Sequence, residues 1–238
     1  MVTIKKIINK IGRSIRFRRR ANLFYSQLGE DLIVRHIFSQ LGIYSPFYID
    51  IGAHHPSFLN NTFLFYRNGA SGLNIEPDPF LFKEIAKRRP RDINLNVGVS
   101  FNGQEEKIDF YIMSARSLNT FSKAEAERVQ AFGSYSITEV TKVSTANINN
   151  LFKNYFKDGR IDFLTVDVEG LDFEIIKTID FDLIKPKVIC VETLSYAEDK
   201  SEQKNHTLID YIIAKNYFVY ADTYVNTILV DATVWAQR

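Results

Sequence analysis

Phe47-Tyr48-Ile49-Asp50-Ile51-Gly52-Ala53 is the stretch on which the fold turns. It is apolar or aromatic apart from one acid, and a glycine ends it. A run too short for a helix and apolar on both faces reads as a buried parallel strand. Four more runs follow the same rule: 72–76, stopped by Pro77; 93–100; 161–167; and 188–192. Between them, residues 60–68, 80–89, 148–156 and about 168–179 carry helical spacing. Strand and helix in alternation predict a parallel sheet with helices on both faces. Residues 217–221 and 227–235 predict a closing strand pair joined by a turn near Asn226. The expected fold is therefore α/β and Rossmann-like, a mainly parallel seven-stranded sheet with one antiparallel strand at or near its edge.

Outward from this frame, residues 25–41 predict a helix, with Leu28, Leu32, Ile33, His36, Ile37 and Leu41 in a stripe. Residues 101–145 interrupt the alternation and read as a lid or insertion. Asn102-Gly103 turns into a hairpin-like excursion at 107–113, and a polar, irregular segment over 114–145 holds one helix near 123–132. Arg116, Asn119 and Tyr135 are its candidate acceptor contacts. The chain of 238 residues divides into a basic arm, 1–20, and one domain over 21–238.

The arm carries eight Lys or Arg and no acid. The rest has 22 basic against 28 acidic side chains, a body near −6. Ile4, Ile7, Ile8, Ile11 and Ile15 stand at helical spacing in the arm, which predicts a basic amphipathic helix. It suits a peripheral membrane contact, or packing on the body. The basic residues lie in one short arm rather than across a folded face, so no nucleic-acid partner is expected. Cys190 is the single cysteine, which excludes an intramolecular disulfide and points to an intracellular, cytoplasmic protein. No apolar run approaches the roughly 20 residues of a spanning helix.

In an open α/β sheet, ligands sit beyond the carboxyl ends of the strands. Those ends carry Asp50, Glu76, Asp167 (with Glu169 just beyond) and Glu192. Cores avoid buried acids without partners, so four acidic strand ends point to a site. The loop Gly52-Ala53-His54-His55-Pro56 has one glycine, too few for a pyrophosphate cradle. Glu76, 24 residues after Gly52, is placed to accept both hydroxyls of a ribose. Together they suit an adenosine ligand without phosphates, and S-adenosylmethionine is one. Asp50 would orient the loop and meet the methionyl amine. Asn61 and Thr62 would cap the next helix or meet the ligand carboxylate. Pro77, Val99 and Ser100 would border the adenosine. His54 and His55 stand where a general base could act.

The ordered set Tyr48 through Pro56, Asn61-Thr62, Gly69, Gly72 through Pro77 and Asn96 through Ser100 resembles the FkbM-type methyltransferase family. So does the later block Asp167-Val168-Glu169-Gly170, and Tyr25-Ser26-Gln27-Leu28-Gly29-Glu30-Asp31 resembles a segment from one branch of it. The matches span about residues 25–231. The resemblance implies a class I methyltransferase fold and S-adenosylmethionine-dependent O-methylation, often of a sugar hydroxyl in a glycan or in a nucleotide- or lipid-linked saccharide. Many members carry a lysine two residues before the aspartate; Thr165 stands here instead.

On the acceptor side, Asp167 and Glu169 are the expected proton acceptors, with Glu192 beside them. The same three carboxylates could instead hold Mg²⁺, which would orient a diol and acidify one hydroxyl. A metal-dependent glycosyltransferase using Asp167 and Glu169 gives the Gly52 loop and Glu76 no shared task. A nicotinamide enzyme lacks its glycine pattern. A non-enzymatic membrane-docking scaffold leaves the strand-end acids unexplained.

Overall fold

A computed structural model of the chain describes residues 23–156, 159–194 and 202–238. The helix expected over 1–20 lies outside the described residues. The first element is helix α1 (Glu30–Gln40). Strand β1 (Tyr48–Ile51), helix α2 (Phe63–Arg67), strand β2 (Gly72–Ile75) and helix α3 (Pro79–Arg88) follow, then strand β3 (Ile93–Leu95). After the insertion come helix α5 (Ile148–Tyr155), β7 (Phe163–Val166), α6 (Asp172–Thr178), β8 (Val188–Glu192), α7 (His206–Ile213), β9 (Tyr217–Asp222), β10 (Asn226–Asp231) and α8 (Ala232–Ala236).

Seven strands form one sheet in the order β3-β2-β1-β7-β8-β10-β9. All pairings are parallel except those of β10, which runs antiparallel to both β8 and β9. The expected antiparallel strand is thus one place in from the edge. Side-chain alternation decides the layers. Ile49, Ile51, Leu164, Val166, Ile189 and Val191 face α5, α6 and α7. Tyr48, Phe163, Val188 and Cys190 face α1 and α2. At Gly72, a Cβ would lie 2.2 Å from the Tyr48 ring, so only glycine lets β2 pair here.

The insertion holds a second sheet. Strands β4 (Gly98–Val99), β5 (Lys107–Met113) and β6 (Ile137–Ala146) lie in the order β4-β6-β5, with a 3₁₀ turn at Arg116–Leu118 and helix α4 (Lys123–Phe132) between β5 and β6. The helix stands where its spacing puts it. The irregular reading of 114–145 is corrected at its end: from Ile137 the chain pairs with β5 for almost the whole of that strand. Alternating Thr, Val and charged residues are the signal there, diluted because much of this strand is exposed.

Three other expectations are corrected. The run 93–100 is two strands in two sheets; Asn96 Nδ2 donates to the Glu76 and Pro77 carbonyls and turns the chain between them. The helix expected from 25 begins at Glu30, because Ser26 Oγ accepts the Gly29 and Asp31 amides in a turn and Gly29 sits at φ 93°. The last strand stops at Asp231, whose carboxylate accepts the Thr233 and Val234 amides and so starts α8. No helix among the described residues is long and apolar enough to cross a membrane.

Candidate active site

A cavity of about 400 Å³ opens at the carboxyl ends of β1, β2, β7 and β8. Its first wall is the loop after β1. Gly52 has φ 82°, and a Cβ there would stand 1.8 Å from the Asp167 carbonyl oxygen, so any side chain would separate β1 from β7. Its amide and that of Ala53 both reach the Ile75 carbonyl. His54 follows at φ 51° and donates its amide to Glu76 Oε2 at 2.7 Å. Glu76 Oε1 accepts the Asp78 amide, also at 2.7 Å. Burial pushes the Glu76 carboxyl up to about 8, against the pull of these two amides. Pro77, Leu81 and Val99 complete this wall.

The sequence-derived residues separate into two shells. Gly52, His54, Asn61, Glu76, Pro77, Val99, Asp167, Glu169 and Glu192 line the cavity. Behind them, Asp50 accepts from Thr62 Oγ1 at 2.6 Å and Asn60 Nδ2 at 3.2 Å, with buried Arg89 donating to Thr62 and Asn60 from beyond. Asp50 and Thr62 therefore brace the loop and bond each other. Ala53 is buried in the loop backbone, and Ser100 Oγ bonds Asn102. His55 lies outside the cavity lining, and its Nδ1 accepts the Ser57 and Phe58 amides. Asn61 Nδ2 donates to Thr165 Oγ1 at 3.0 Å.

The facing wall is acidic. Donor oxygens of Asp167, Glu169 and Glu192 lie within 4.8 Å of one another. Burial raises the Asp167 carboxyl to about 6, helped by the charges of Asp50 and Glu30. Burial and then Asp167 raise Glu169, Glu192 and Asp172, the last to about 7. Arg128 draws Glu169 the other way, but Glu125 holds that guanidinium at 2.9 and 2.5 Å. Three hard oxygen donors at this spacing fit a divalent cation, and they equally fit a shared-proton cluster.

Side chains of the insertion roof the cavity. Arg116, Asn119 and Tyr135, the candidate contacts, all reach its lining together with Phe110 and Phe121. Arg116 and Asn119 both bond the Asp78 carboxylate, which also caps α3. The lid is thereby tied to the residue two places after Glu76.

Sequence reasoning missed the far side of the opening. Gln27, Tyr224 and Asn226 line it. Asn226 pairs with Glu192 across β8 and β10 and donates to Glu30 at 3.1 Å. The signal was present in the block Tyr25 through Asp31, whose polar residues have structural partners: Ser26 Oγ bonds Asp31 at 2.9 Å, and Glu30 accepts from Leu28, Thr223 and Asn226.

Backbone strain gathers at the same place. Five non-glycine residues among those described have positive φ, and four of them, His54, Leu59, Glu169 and Tyr224, line the cavity. Such conformations cost on the order of 1 kcal/mol or more each and persist where the surroundings enforce them.

The FkbM methyltransferase domain matches residues 50–219 of the chain. No curated protein matches it. Among solved structures, it is similar to a TehB-like S-adenosylmethionine-dependent methyltransferase from Corynebacterium glutamicum, at 8% identity and a TM-score of 0.42, over 94% of this chain and 96% of that one. It is also similar to magnesium protoporphyrin IX methyltransferase from Synechocystis PCC 6803 with bound S-adenosylmethionine, at 13% identity and a TM-score of 0.39, over 96% and 94%.

Proposed function

Since the chain belongs to the FkbM methyltransferase family, we propose that it is an S-adenosylmethionine-dependent O-methyltransferase whose acceptor is a saccharide hydroxyl. The observation that carries this is one cavity with the Gly52 loop and Glu76 on one side and the carboxylates of Asp167, Glu169 and Glu192 on the other. When bound, S-adenosylmethionine supplies a methyl group on a positively charged sulfur. The chain's residues fit it: the loop of Gly52 and His54 lines one side of the cavity with Glu76, and both Glu76 oxygens keep lone pairs for a ribose diol after accepting one amide each. Val99 and Leu81 offer apolar contact to the base.

Asp167 and Glu169 supply what the acceptor needs. A sugar hydroxyl attacks poorly until its proton has somewhere to go. A carboxylate whose affinity for protons has been raised toward neutrality is the better base for it. Asp167 and Glu169 would take up the hydroxyl proton that the acceptor oxygen must lose when it is methylated. His54 is held neutral by burial beside His55 and borders the same space.

A second reading is favoured by the 4.8 Å spacing of the three carboxylates. Asp167, Glu169 and Glu192 would hold Mg²⁺, whose chemistry is to orient a diol and acidify one hydroxyl. Full activity after EDTA treatment and gel filtration removes that reading; activity restored only by Mg²⁺ supports it.

Calorimetric titration with S-adenosylhomocysteine, NAD⁺ and UDP-glucose tests the main reading. Binding of the first alone is expected. Binding of either of the others without the first overturns it. Mass spectra of candidate glycans from cells with and without the gene then identify the acceptor by the gain of one methyl group.

A further inference from the structure

We propose that the mouth of the cavity is a membrane-docking face and that the saccharide acceptor is presented to it from an anionic lipid surface. Six large hydrophobic side chains, each 40 to 65% exposed, sit on the segments that border the mouth: Leu59 and Tyr224 in its lining, and Leu23, Phe24, Leu28 and Phe58 on the adjoining chain. They come from three segments that hydrogen bonds tie into one surface. The Asn60 amide donates to the Tyr25 carbonyl at 2.9 Å. The Leu28 amide and the Thr223 hydroxyl share the Glu30 carboxylate, at 2.8 and 2.7 Å. Leu59 and Tyr224 also line the cavity, so the apolar rim and the opening are continuous.

Single exposed hydrophobics are ordinary on a protein surface, whereas a cluster rimming a pocket marks a binding face. The sequence says what occupies it. Residues 1–20 hold eight cations and no acid, and they lead directly into Leu23 and Phe24. The body they precede carries an excess of six acids and would be repelled by an anionic membrane. Cationic charge to bring the chain to the headgroups, with adjoining apolar side chains to enter them, is the two-part requirement for reversible attachment. Docked this way, the mouth faces the headgroup layer, where a saccharide carried on a lipid is exposed. The docking stands apart from the methyl-transfer reading; only the statement about the acceptor rests on it.

Flotation of the full chain with phosphatidylcholine vesicles, with and without phosphatidylglycerol, tests the proposal. Leu23, Phe24 and Leu28 lie outside the cavity lining, so the variant L23S/F24S/L28S keeps the donor site intact. The full chain is expected to float with the anionic vesicles only and to be released by salt. The triple variant should bind them at least about tenfold more weakly while titrating S-adenosylhomocysteine like the parent. A full chain that stays unbound, or a triple variant that floats like the parent, overturns the proposal. So does a full-chain dimer that the triple substitution dissociates, since a second copy then covers the rim. Loss of S-adenosylhomocysteine binding by the parent, with flotation intact, defeats the methyltransferase reading and leaves docking standing.

Discussion

Asp162 and Asp167 stand at opposite ends of one strand, β7, and their surroundings treat them in opposite ways. Asp162, before the strand, is fully buried and accepts from Lys187 Nζ at 2.8 Å, the Phe47 amide at 2.8 Å and Arg160 at 3.0 Å. Burial alone would raise its carboxyl, but these donors and the Lys187 charge outweigh it and hold it below the usual range. Asp167, after the strand, is faced by Asp50, Glu30, Glu169 and Glu192, and is pushed up to about 6. An acid that serves the fold is given its cations by the fold. An acid left among other acids is waiting for a proton, a metal ion or a cationic ligand, and a sulfonium donor is one such ligand.

The sharpest way to break this contrast is to neutralise each aspartate in turn. Asp167→Asn keeps the shape and removes the proton acceptor. It is expected to lower kcat by about 10³-fold while S-adenosylhomocysteine affinity stays within about threefold. Retained turnover would move the base elsewhere in the cluster. Asp162→Ala should do the reverse, stranding Lys187 and Arg160 and lowering stability by about 2–3 kcal/mol, because both cations are partly solvated. Its kcat at a temperature where it is folded should match the parent. Urea denaturation beside initial rates reads both.

Asp162, inside the expected run 161–167, drew no reading of its own, but strand ends are set by the apolar runs around them. Asp50, Glu76, Asp167 and Glu192 were legible as strand-end acids for that reason. What one dimension hides is where a carboxylate turns. Asp50 points back to Thr62 and Asn60, and His55 turns to two loop amides. Asn226 was equally hidden, since a residue read as a turn becomes the partner of Glu192 only once β10 is folded against β8. The strand from Ile137 escaped for another reason. Its pattern is real, but an exposed strand lacks the apolar contrast that made β1 plain.

Glu76 sharpens the contrast on the donor side. It is buried where Asp167 is only half-buried, and it has two amide donors, so it should act through binding rather than proton transfer. Glu76→Gln should weaken S-adenosylmethionine about tenfold or more, because the amide nitrogen that replaces one oxygen can no longer accept from the loop amide or the diol. A kcat at saturating donor close to the parent's would confirm the split, and a large fall in kcat with unchanged affinity would refute it.

The same carboxylates make a pH prediction of fixed sign. Glu76, Asp167 and Asp172 have native values raised to about 8, 6 and 7, above the roughly 4 of an unfolded chain. Between those limits the native state binds more protons than the unfolded one, so stability is present at low pH and is lost as pH rises. The ligand-free protein should melt a few degrees lower at pH 8 than at pH 5, and Asp167→Asn should flatten the slope. Asp162 works the other way, but only near and below pH 4. A Tm that climbs from pH 5 to 8 would mean that the acidic wall is neutralised in solution by something already bound.

The smallest expected effect belongs to a histidine that the sequence placed in the chemistry. The Nδ1 of His55 accepts the Ser57 and Phe58 amides at 3.2 and 2.9 Å, and its ring meets the edge of Phe58. That nitrogen must be unprotonated to accept them. Burial and the Arg88 charge favour this by lowering its affinity for protons. His55→Ala should therefore loosen one turn of the loop by about 1 kcal/mol, leaving kcat within about threefold. His55→Asn offers a carbonyl oxygen to the same amides and should recover most of the stability. If His55→Ala instead removed activity while the fold held, the base would lie on the donor loop, and the division of the cavity into a binding wall and a reacting wall would fail.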